Sequence, residues 1–461
     1  MKASVNVVSL IGFLGSVSGQ LTVKVDVGVT HQRIDGFGIS QAFGRAKEFQ
    51  NANTQARQQA LDYLFSTENG AGFSIIRNKI GSGSAGSGNI EPNNPGSPSS
   101  PPKYVWDNDD AGQVWFTNQA VKYGVKTIFA DAWGAPGFMK TSGDDSKPGF
   151  LCGSPGHSCS SGDWRQAYAN FLVQYVQFYK SSGLQISHIG FLNEPDFTTS
   201  YSQMQISSNA TEAIDFIPIL HKTIQSAGLD VQIVCCDATG WNVQSSYTDA
   251  LVKAGSTQNL GVITSHSYSS DATTPLSITS LPKWNTEAGD GSEPFITAWY
   301  KSGAKNEGFS WAQRIAVAMV NAELSAYLYW EGFEVKQSQS ASHLLDALDG
   351  VKVTPSGIYY AFAMWSRYIR PGAVRVAASG SISDVIVGAF RNPDKSLVVV
   401  ITNSGSSGQT SKITFQGYQP VSAKAYVTSS SMSFAPTDAK LDSNTVFVSV
   451  PSKGVVTVKL V

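Results

Sequence analysis

Two glutamates stand where apolar segments of the sequence stop. Glu194 ends the apolar part of FLNEP, and Glu287 lies in KWNTEAGD. Each segment has the length and composition of a buried β-strand, so each glutamate would lie at a strand end. Two carboxyl groups on either side of one bond can act as a proton donor and as a nucleophile or base. Either glutamate alone also fits an exposed charge at a strand end, so the interpretation depends on whether the fold brings the two together.

Short apolar segments alternate with helical patterns between about residues 34 and 370. The predicted strands are 34–39, 72–81, 126–133, 186–195, 231–238, 261–268, 282–289 and 326–334. The segments between them carry apolar residues at helical spacing, and several end on Gly. Eight strands, each followed by a helix or a long loop, predict an α/β fold, a (β/α)8 barrel over residues 34–370. A doubly wound open sheet is the alternative, but no Gly-rich phosphate-binding turn follows the first strand.

Residues 371–461 have a different pattern, in which apolar and polar residues alternate at period two between turn residues. This pattern predicts an antiparallel β-sandwich domain. Residues 20–33 have the same pattern and no partner within a barrel, so we expect them to join this domain, which would then be built from both chain ends. The Gly, Ser and Pro-rich segment 82–103 is predicted as a long loop after the second barrel strand, where loops usually shape binding sites.

The composition excludes some partners. The chain has 461 residues, with Lys+Arg 33 against Asp+Glu 34, and this balance does not suit binding to nucleic acid. No apolar run of membrane-spanning length occurs outside the N-terminus, so we expect a soluble protein, and a monomer. Trp 10, Tyr 17 and Phe 23 stand beside only 15% charged residues. Most of these rings belong to a core, but an aromatic-rich, neutral chain also suits a neutral ligand with apolar faces, such as a sugar.

The first residues and the cysteines predict an exported protein. Residues 1–19 have one Lys, an apolar segment and small residues at the end, as in a secretory signal peptide, so we expect an extracellular protein. Cys152 and Cys159 flank a Gly/Ser/Pro loop and are predicted to form a disulfide. A metal site that uses these cysteines would have no recognised ligand spacing, and we expect no metal and no cofactor. Cys235 and Cys236 are adjacent in a predicted strand and are expected to be buried thiols. Asn209 begins an N-glycosylation sequon.

The barrel prediction places the two glutamates in one site. The reactive groups of such barrels lie at the C-terminal strand ends, and strands four and seven lie across the barrel from each other. Glu194 follows strand four and Glu287 follows strand seven. Two carboxyl groups that flank one glycosidic bond can cleave it, one by protonating the leaving oxygen and the other by attacking the anomeric carbon. The two acids therefore predict a glycosidase.

Several motifs resemble those of one family. NEP after strand four and Thr-Glu after strand seven resemble a large clan of retaining β-glycosidases. QRIDGFGISQAF, ADAWGAPGFMKTSG and SRYIRPGAVRV, in this order along the chain, resemble glycoside hydrolase family 30 over essentially the whole mature chain, and its fungal xylanase and glucuronoxylanase branch in particular. The resemblance implies a secreted retaining enzyme that cleaves β-1,4-xylosidic bonds of xylan or glucuronoxylan. It also implies that Glu194 is the general acid/base and Glu287 the nucleophile.

Other residues near the strand ends are candidates for supporting and substrate-binding roles. Arg77 is expected to keep Glu287 ionised, with a surface ion pair as the alternative. Asn193 is expected to bond a sugar hydroxyl or else to cap the turn. His266 and Tyr268 alternate along one strand, so one of them could bind substrate or orient a catalytic glutamate, with a core histidine as the alternative. Trp330 is expected under the cleaved sugar.

Two tryptophans and one arginine complete the candidates. Trp133 is expected to line the cleft or to support it, and Trp284 to point towards the helices as a core residue. Arg45 follows the first strand, where the resemblance implies an arginine that binds the glucuronic acid branch of xylan. The alternative is an ordinary ion pair between Arg45 and Glu48, one helical turn away.

Three alternatives concern the activity. The enzyme could release xylobiose from chain ends, because the 82–103 loop could close one end of the cleft. It could act on another β-glycan, such as a β-1,6-galactan or glucan. A protein that binds carbohydrate without cleaving it is the alternative from a different class, and the presence of both glutamates disfavours it.

Overall fold

The computed structural model describes residues 20–81 and 88–461. The predicted signal peptide, residues 1–19, and the start of the predicted 82–103 loop, residues 82–87, lie outside the described residues. None of the helices in the described part is long and apolar enough to cross a membrane. The described part of the 82–103 segment forms no helix, and helical structure resumes only at Gln113, as the prediction of a long loop requires.

Eight parallel strands form a closed barrel in the described part of the chain. In chain order, barrel strands one to eight are Gly36–Ser40, Ile75–Ile80, Thr127–Ala132, His188–Gly190, Gln232–Ala238, Val262–His266, Lys283–Glu287 and Ala326–Val335. Strand eight pairs with strand seven on one side and with strand one on the other, which closes the barrel. The predicted (β/α)8 barrel is confirmed, and the open-sheet alternative is wrong because an open sheet has two free edges. His343–Ala347 and Thr354–Pro355 extend strand eight outward.

Helices surround the barrel because their apolar faces need a partner. The α-helices of the described residues are Arg45–Asn51, Thr54–Phe65, Gln113–Lys122, Arg165–Ser181, Thr211–Ser226, Trp241–Lys253, Gly308–Ala316 and Gly357–Ser366. Gly137–Met139 and Ser256–Asn259 are short 3₁₀ turns, and Val317–Asn321 is a π-helical turn. Tyr168, Leu172 and Tyr175, for example, recur at helical spacing and are fully buried.

The β-sandwich combines the strand Gln20–Arg33 with strands of the C-terminal part of the chain. Its strands lie in the order Met432–Thr437, Ala423–Ser429, Gly454–Leu460, Leu397–Asn403, Val385–Arg391, Val374–Gly380, Gln20–Arg33, Gln409–Gln416, Thr445–Val450 and Ala439–Asp442. Val23 pairs with Gly380 in antiparallel and with Ile413 in parallel orientation, so the first strand lies inside the C-terminal sheet. This confirms the prediction for the N-terminal strand, because its buried Val and Leu side chains complete the core of this domain.

The cysteines form two disulfides. Cys152 and Cys159 are bonded, with Cα atoms 5.4 Å apart, as predicted. The prediction of free thiols at Cys235 and Cys236 is wrong, since the structure joins them in a disulfide near the end of barrel strand five. The peptide bond between them is cis, and their Cα atoms lie 3.0 Å apart.

Candidate active site

A pocket of about 630 Å³ opens at the C-terminal end of the barrel. It is the place where a (β/α)8 barrel presents its reactive groups. The residues that line it are Phe43, Trp133, Asn193, Glu194, Phe197, Tyr201, Thr239, Tyr268, Ser269, Glu287 and Trp330. The pocket therefore contains both predicted glutamates and four of the six predicted substrate-binding residues.

The two glutamates lie close together across the pocket. Glu194 lies in the turn after barrel strand four, which ends at Gly190, and Glu287 ends barrel strand seven. One carboxylate oxygen of each lies within 4.8 Å of the other. A separation of roughly 5 Å between two carboxyl groups suits direct attack by one of them on carbon, whereas activation of a water between them needs more room.

The turn NEP aims Glu194 into the pocket. Glu194 adopts a positive φ of 50°, and the proline that follows it disfavours the ordinary helical alternative. Its backbone NH donates to the carbonyl of Asp237 at 2.8 Å, and the side chain of Gln203 donates to the carbonyl groups of Asn193 and Glu194. The carboxylate is held at both oxygens, because His266 Nδ1 lies 3.1 Å from Oε1 and the Tyr201 hydroxyl lies 3.3 Å from Oε2.

Glu287 has a different pair of partners. Arg77 donates to Oε2 of Glu287, and the Tyr268 hydroxyl donates to Oε1 at 2.7 Å. Arg77 is fully buried, so the alternative of a surface ion pair is wrong. A buried guanidinium and a phenol that both donate to one carboxylate fix its orientation.

His266 is not a substrate contact. The side chain is fully buried and does not line the pocket, so its placement among the substrate-binding candidates is wrong. Strand alternation brings His266 and Tyr268 to the same face as predicted, but His266 lies deeper, behind Glu194. Burial disfavours its protonated form, yet Glu287, Asp237 and Glu194 outweigh this effect and raise the pKa of His266 to about 10.

Below the pocket, Arg77 is the centre of a buried network of charges. Its Nη2 donates to Asp131 Oδ2 and to Asn193 Oδ1, each at 2.6 Å, and it lies 3.3 Å from Asp237 Oδ2. Burial and the neighbouring Asp237 carboxylate raise the pKa of Asp131 well above its ordinary value, and Arg77 opposes this only in part. Burial would also raise the pKa of Asp237, but His266 and Arg77 hold it below its ordinary value. Asp131 is therefore the more readily protonated of the two carboxyl groups.

Three side chains in the site have the geometry of metal ligands. Donor atoms of Glu194, His266 and Glu287 all lie within 4.8 Å of one another. The guanidinium of Arg77 contacts Glu287, and a protonated His266 has no free lone pair for a metal, so both neighbours disfavour a cation here. The expectation that the protein needs no metal stays a prediction.

Aromatic rings form one wall of the pocket. Trp133 and Trp330, both predicted, have ring centroids 6.0 Å apart, and Phe43 packs edge-on against Trp133 at 5.3 Å. Lys79 is buried behind this wall, with Nζ 4.3 Å from the centroid of Phe43. Trp284, in contrast, is buried and donates to Asp35 at the other end of the barrel, which confirms it as a core residue.

Arg45 pairs with carboxylates of its own chain. Its guanidinium lies 2.9 Å from Glu48, 3.6 Å from Glu331 and 3.3 Å from Glu334, and it does not line the pocket. The pairing with Glu48 is the alternative that the sequence left open, and the two buried glutamates of barrel strand eight add to it. Burial and the neighbouring Glu334 raise the pKa of Glu331.

Sequence reasoning missed several residues of the site, among them Thr239 and Ser269 of the pocket lining. Asp131 and Asp237 lie near the ends of barrel strands three and five, so the strand-end rule that found Arg77 would also have found them. Phe43, Phe197 and Tyr201 lie on loops, where no periodicity indicates the direction of a side chain. Asn193 is where it was predicted. Its amide oxygen accepts from Arg77, so its nitrogen is the group that can meet a ligand in the pocket. Asn209 is exposed, as a sequon requires.

The comparisons with known proteins agree with this site. Residues 20–286 match the family model of O-glycosyl hydrolase family 30, and residues 372–458 match that of the glycosyl hydrolase family 30 beta sandwich domain. The structure is similar to the catalytic domain of a family 30 xylanase C from Talaromyces cellulolyticus, with 47% identity and a TM-score of 0.91 over 95% of this chain and 100% of that chain.

Two curated relatives are more distant. An endo-1,6-β-D-glucanase of Aspergillus fumigatus is 26% identical over 88% of this chain and 86% of its own length. A glucuronoxylanase of Bacillus subtilis is 24% identical over 75% of this chain and 76% of its own length. Together with the family models and the two facing glutamates, these matches identify the chain, which belongs to glycoside hydrolase family 30 and is a glycosidase.

Proposed function

We propose that this chain is a secreted β-1,4-xylanase that cleaves xylan with retention of anomeric configuration. The observation that supports the substrate is the 47% identity with a xylanase over 95% of the chain. The neutral, aromatic pocket is consistent with it, because the pyranose rings of xylan present C–H faces that pack on indole rings. Spacing of the two glutamates supports the covalent mechanism.

In the first step Glu287 is the nucleophile. One of its carboxylate oxygens attacks the anomeric carbon and forms a glycosyl ester, while the bond from that carbon to the leaving oxygen breaks. Glu194 gives its proton to the leaving oxygen, so the departing chain leaves as a neutral alcohol. Arg77 and Tyr268 hold Glu287 in the orientation for attack, since each contacts one of its oxygens.

In the second step Glu194 acts as a base. A water molecule attacks the anomeric carbon, Glu194 takes a proton from it, and the ester bond to Glu287 breaks. The product keeps the β-configuration because two inversions occur at one carbon. The amide nitrogen of Asn193 is placed to bond the hydroxyl beside the reacting carbon, and Trp330 and Trp133 lie under the bound sugar.

Replacing either glutamate by the isosteric amide tests the catalytic proposal. Glu194→Gln and Glu287→Gln should each release far less reducing sugar from xylan than the wild type, while xylan binding persists. Glu48→Gln is the matched control, because Glu48 is an exposed glutamate outside the pocket. If the wild type releases no more sugar than the two active-site variants, the protein binds carbohydrate without cleaving it.

The substrate needs a separate comparison, because curated relatives include endo-1,6-β-glucanases. Initial rates on β-1,4-xylan and on β-1,6-glucan, measured with one enzyme preparation, should differ by orders of magnitude in favour of xylan. The opposite preference would reverse the assignment. Product profiles on glucuronoxylan, arabinoxylan and linear xylo-oligosaccharides separate internal cleavage, which gives mixed lengths, from release of xylobiose at chain ends.

We also propose export and glycosylation, which suit an enzyme whose polymeric substrate lies outside the cell. The signal-like pattern of residues 1–19 and the exposed sequon at Asn209 support this. Protein purified from culture medium should begin at Gln20 and should lose mass at the Asn209 peptide on treatment with an N-glycosidase. Retention inside the cells with residues 1–19 intact would contradict the proposal.

A further inference from the structure

Large aromatic side chains are exposed in only one place among the described residues. Phe197 is 50% exposed, Tyr268 44% and Tyr201 39%, and all three line the catalytic pocket. Every other described Phe, Tyr and Trp is half-buried or buried. An apolar ring left in water forgoes the stabilisation of burial, and a cluster of such rings marks a binding surface. Tyr268 contacts Glu287, which leaves Phe197 and Tyr201 without an assigned role.

Both residues belong to the segment that follows Glu194. The backbone NH of Phe197 donates to the carbonyl of Glu194 at 3.0 Å, and the Tyr201 hydroxyl lies 3.3 Å from Glu194 Oε2. Gln203, at the end of this segment, pairs with Pro148 and bonds the carbonyl groups of the NEP turn through its side chain. The segment that carries the two exposed rings is thus held beside Glu194 by hydrogen bonds.

The pocket therefore has two unlike aromatic walls. Phe43, Trp133 and Trp330 pack on one another on the first, while Phe197 and Tyr201 lie on the wall that carries Glu194. In the proposed reaction Glu194 gives its proton to the leaving oxygen, which is part of the departing sugar. That sugar must lie next to Glu194 when the bond breaks.

We propose that Phe197 and Tyr201 form the binding platform for the xylose unit on the leaving-group side of the cleaved bond, and that the Tyr201 hydroxyl is a positioning group for Glu194. This inference rests on the proposed function, because it requires Glu194 to be the acid. Ring stacking on the C–H face of a sugar supplies the contact, and it also suits an uncharged ligand.

The same platform would bind an acceptor in the second step. When a sugar hydroxyl takes the place of water, its oxygen attacks the anomeric carbon, Glu194 takes its proton, and the ester bond to Glu287 breaks. The product is a longer oligosaccharide, and no other reactant is consumed. A weaker platform should therefore lower the yield of transfer products relative to hydrolysis.

Two substrates with one glycone test the platform. Xylotetraose has a sugar as leaving group, whereas β-xylobiosyl fluoride has a small leaving group that occupies no platform and needs little protonation. For Phe197→Ala the ratio of kcat/KM for xylotetraose to that for the fluoride should fall about tenfold, mainly through KM, as loss of one stacking contact predicts. Transfer products from xylotetraose should decrease in parallel.

Tyr201→Phe keeps the ring and removes only the contact with Glu194. The same ratio should fall about three- to tenfold, as expected for one lost hydrogen bond, but through kcat. Tyr360→Phe, at a half-buried tyrosine on the helix Gly357–Ser366 outside the pocket, is the control for the loss of a hydroxyl. Phe197 and Tyr201 are both exposed, so neither substitution should unfold the protein. Activity on the fluoride and the melting temperature check that each variant is folded.

The outcomes separate this inference from the proposed function. An unchanged ratio in both variants, or an equal loss on both substrates, would overturn the platform while Glu194 and Glu287 kept their roles. If the wild type cleaves neither xylotetraose nor β-xylobiosyl fluoride, the proposed function fails first. A fall in the ratio for Phe197→Ala alone would support the ring platform but contradict the positioning role of the Tyr201 hydroxyl.

Discussion

Replacement of Arg77 by methionine should destabilise the protein more than any single hydrogen bond explains. The guanidinium is fully buried and contacts Glu287, Asp131 and Asp237. Removal of one partner from a buried ion pair costs about 3–5 kcal/mol, because the charge of the other partner is then uncompensated. His266 remains as a second cation, since neighbouring carboxylates raise its pKa to about 10, so we expect a loss near the lower end, about 3 kcal/mol. Equilibrium urea unfolding at pH 6, followed by tryptophan fluorescence and circular dichroism, measures the loss.

Asp131→Asn is the matched control inside the same network. The pKa of Asp131 is raised by burial and by the neighbouring Asp237, so a neutral side chain suits this position, and the amide oxygen of asparagine can still accept from Arg77. This substitution should cost less than about 1 kcal/mol, the net value of one hydrogen bond. A loss for Asp131→Asn as large as that for Arg77→Met, or a loss below about 1 kcal/mol for Arg77→Met, would refute the description of Arg77 as the cation that compensates the buried acids.

Three further predictions concern other parts of the molecule. Activity should survive dialysis against EDTA, because Arg77 and a protonated His266 oppose a cation between the glutamates, and recovery of lost activity by zinc or calcium would show a missed site. Burial lowers the pKa of Lys79 from 10.5 to about 8, so Lys79→Met should stabilise the fold by on the order of 2 kcal/mol below pH 8. That gain in the free energy of unfolding should shrink as the pH rises from 8 towards 10.5, where Lys79 loses its proton in the unfolded chain too. A gain that is independent of pH in denaturation experiments would contradict the lowered pKa of Lys79. Arg45→Ala should lower kcat/KM equally on glucuronoxylan and on unsubstituted xylo-oligosaccharides, because Arg45 already pairs with Glu48, Glu331 and Glu334. A loss confined to glucuronoxylan would show instead that Arg45 binds the glucuronic acid branch.

The sequence was sufficient for the residues whose position follows from a repeating rule. Strand ends of a (β/α)8 barrel meet at one mouth, so Glu194, Glu287 and Arg77 could be placed together once the alternation of strands and helices was recognised. The first sandwich strand could be placed for a similar reason, since a strand with one apolar face needs a sheet to complete.

What depends on contacts across the barrel could not be predicted. The raised pKa of Asp131 results from burial and from its closeness to Asp237, which lies on a different strand, and no local pattern encodes that distance. Arg45 was ambiguous because its partners Glu331 and Glu334 are distant in sequence. Directions of loop side chains such as Phe197 and Tyr201 depend on the whole turn after Glu194, where neither strand nor helix periodicity applies.

Trapping the glycosyl ester tests the double-displacement mechanism most directly. The fluorine of 2-deoxy-2-fluoro-β-xylobiosyl fluoride slows both steps, while its good leaving group allows the first step to proceed, so the ester should accumulate. Intact-protein mass spectrometry should show the addition of one 2-fluoroxylobiosyl group, peptide mapping should place it on Glu287, and Glu287→Gln should show none. No adduct on active wild-type enzyme, or an adduct on any other residue, would contradict the proposed role of Glu287 as the nucleophile.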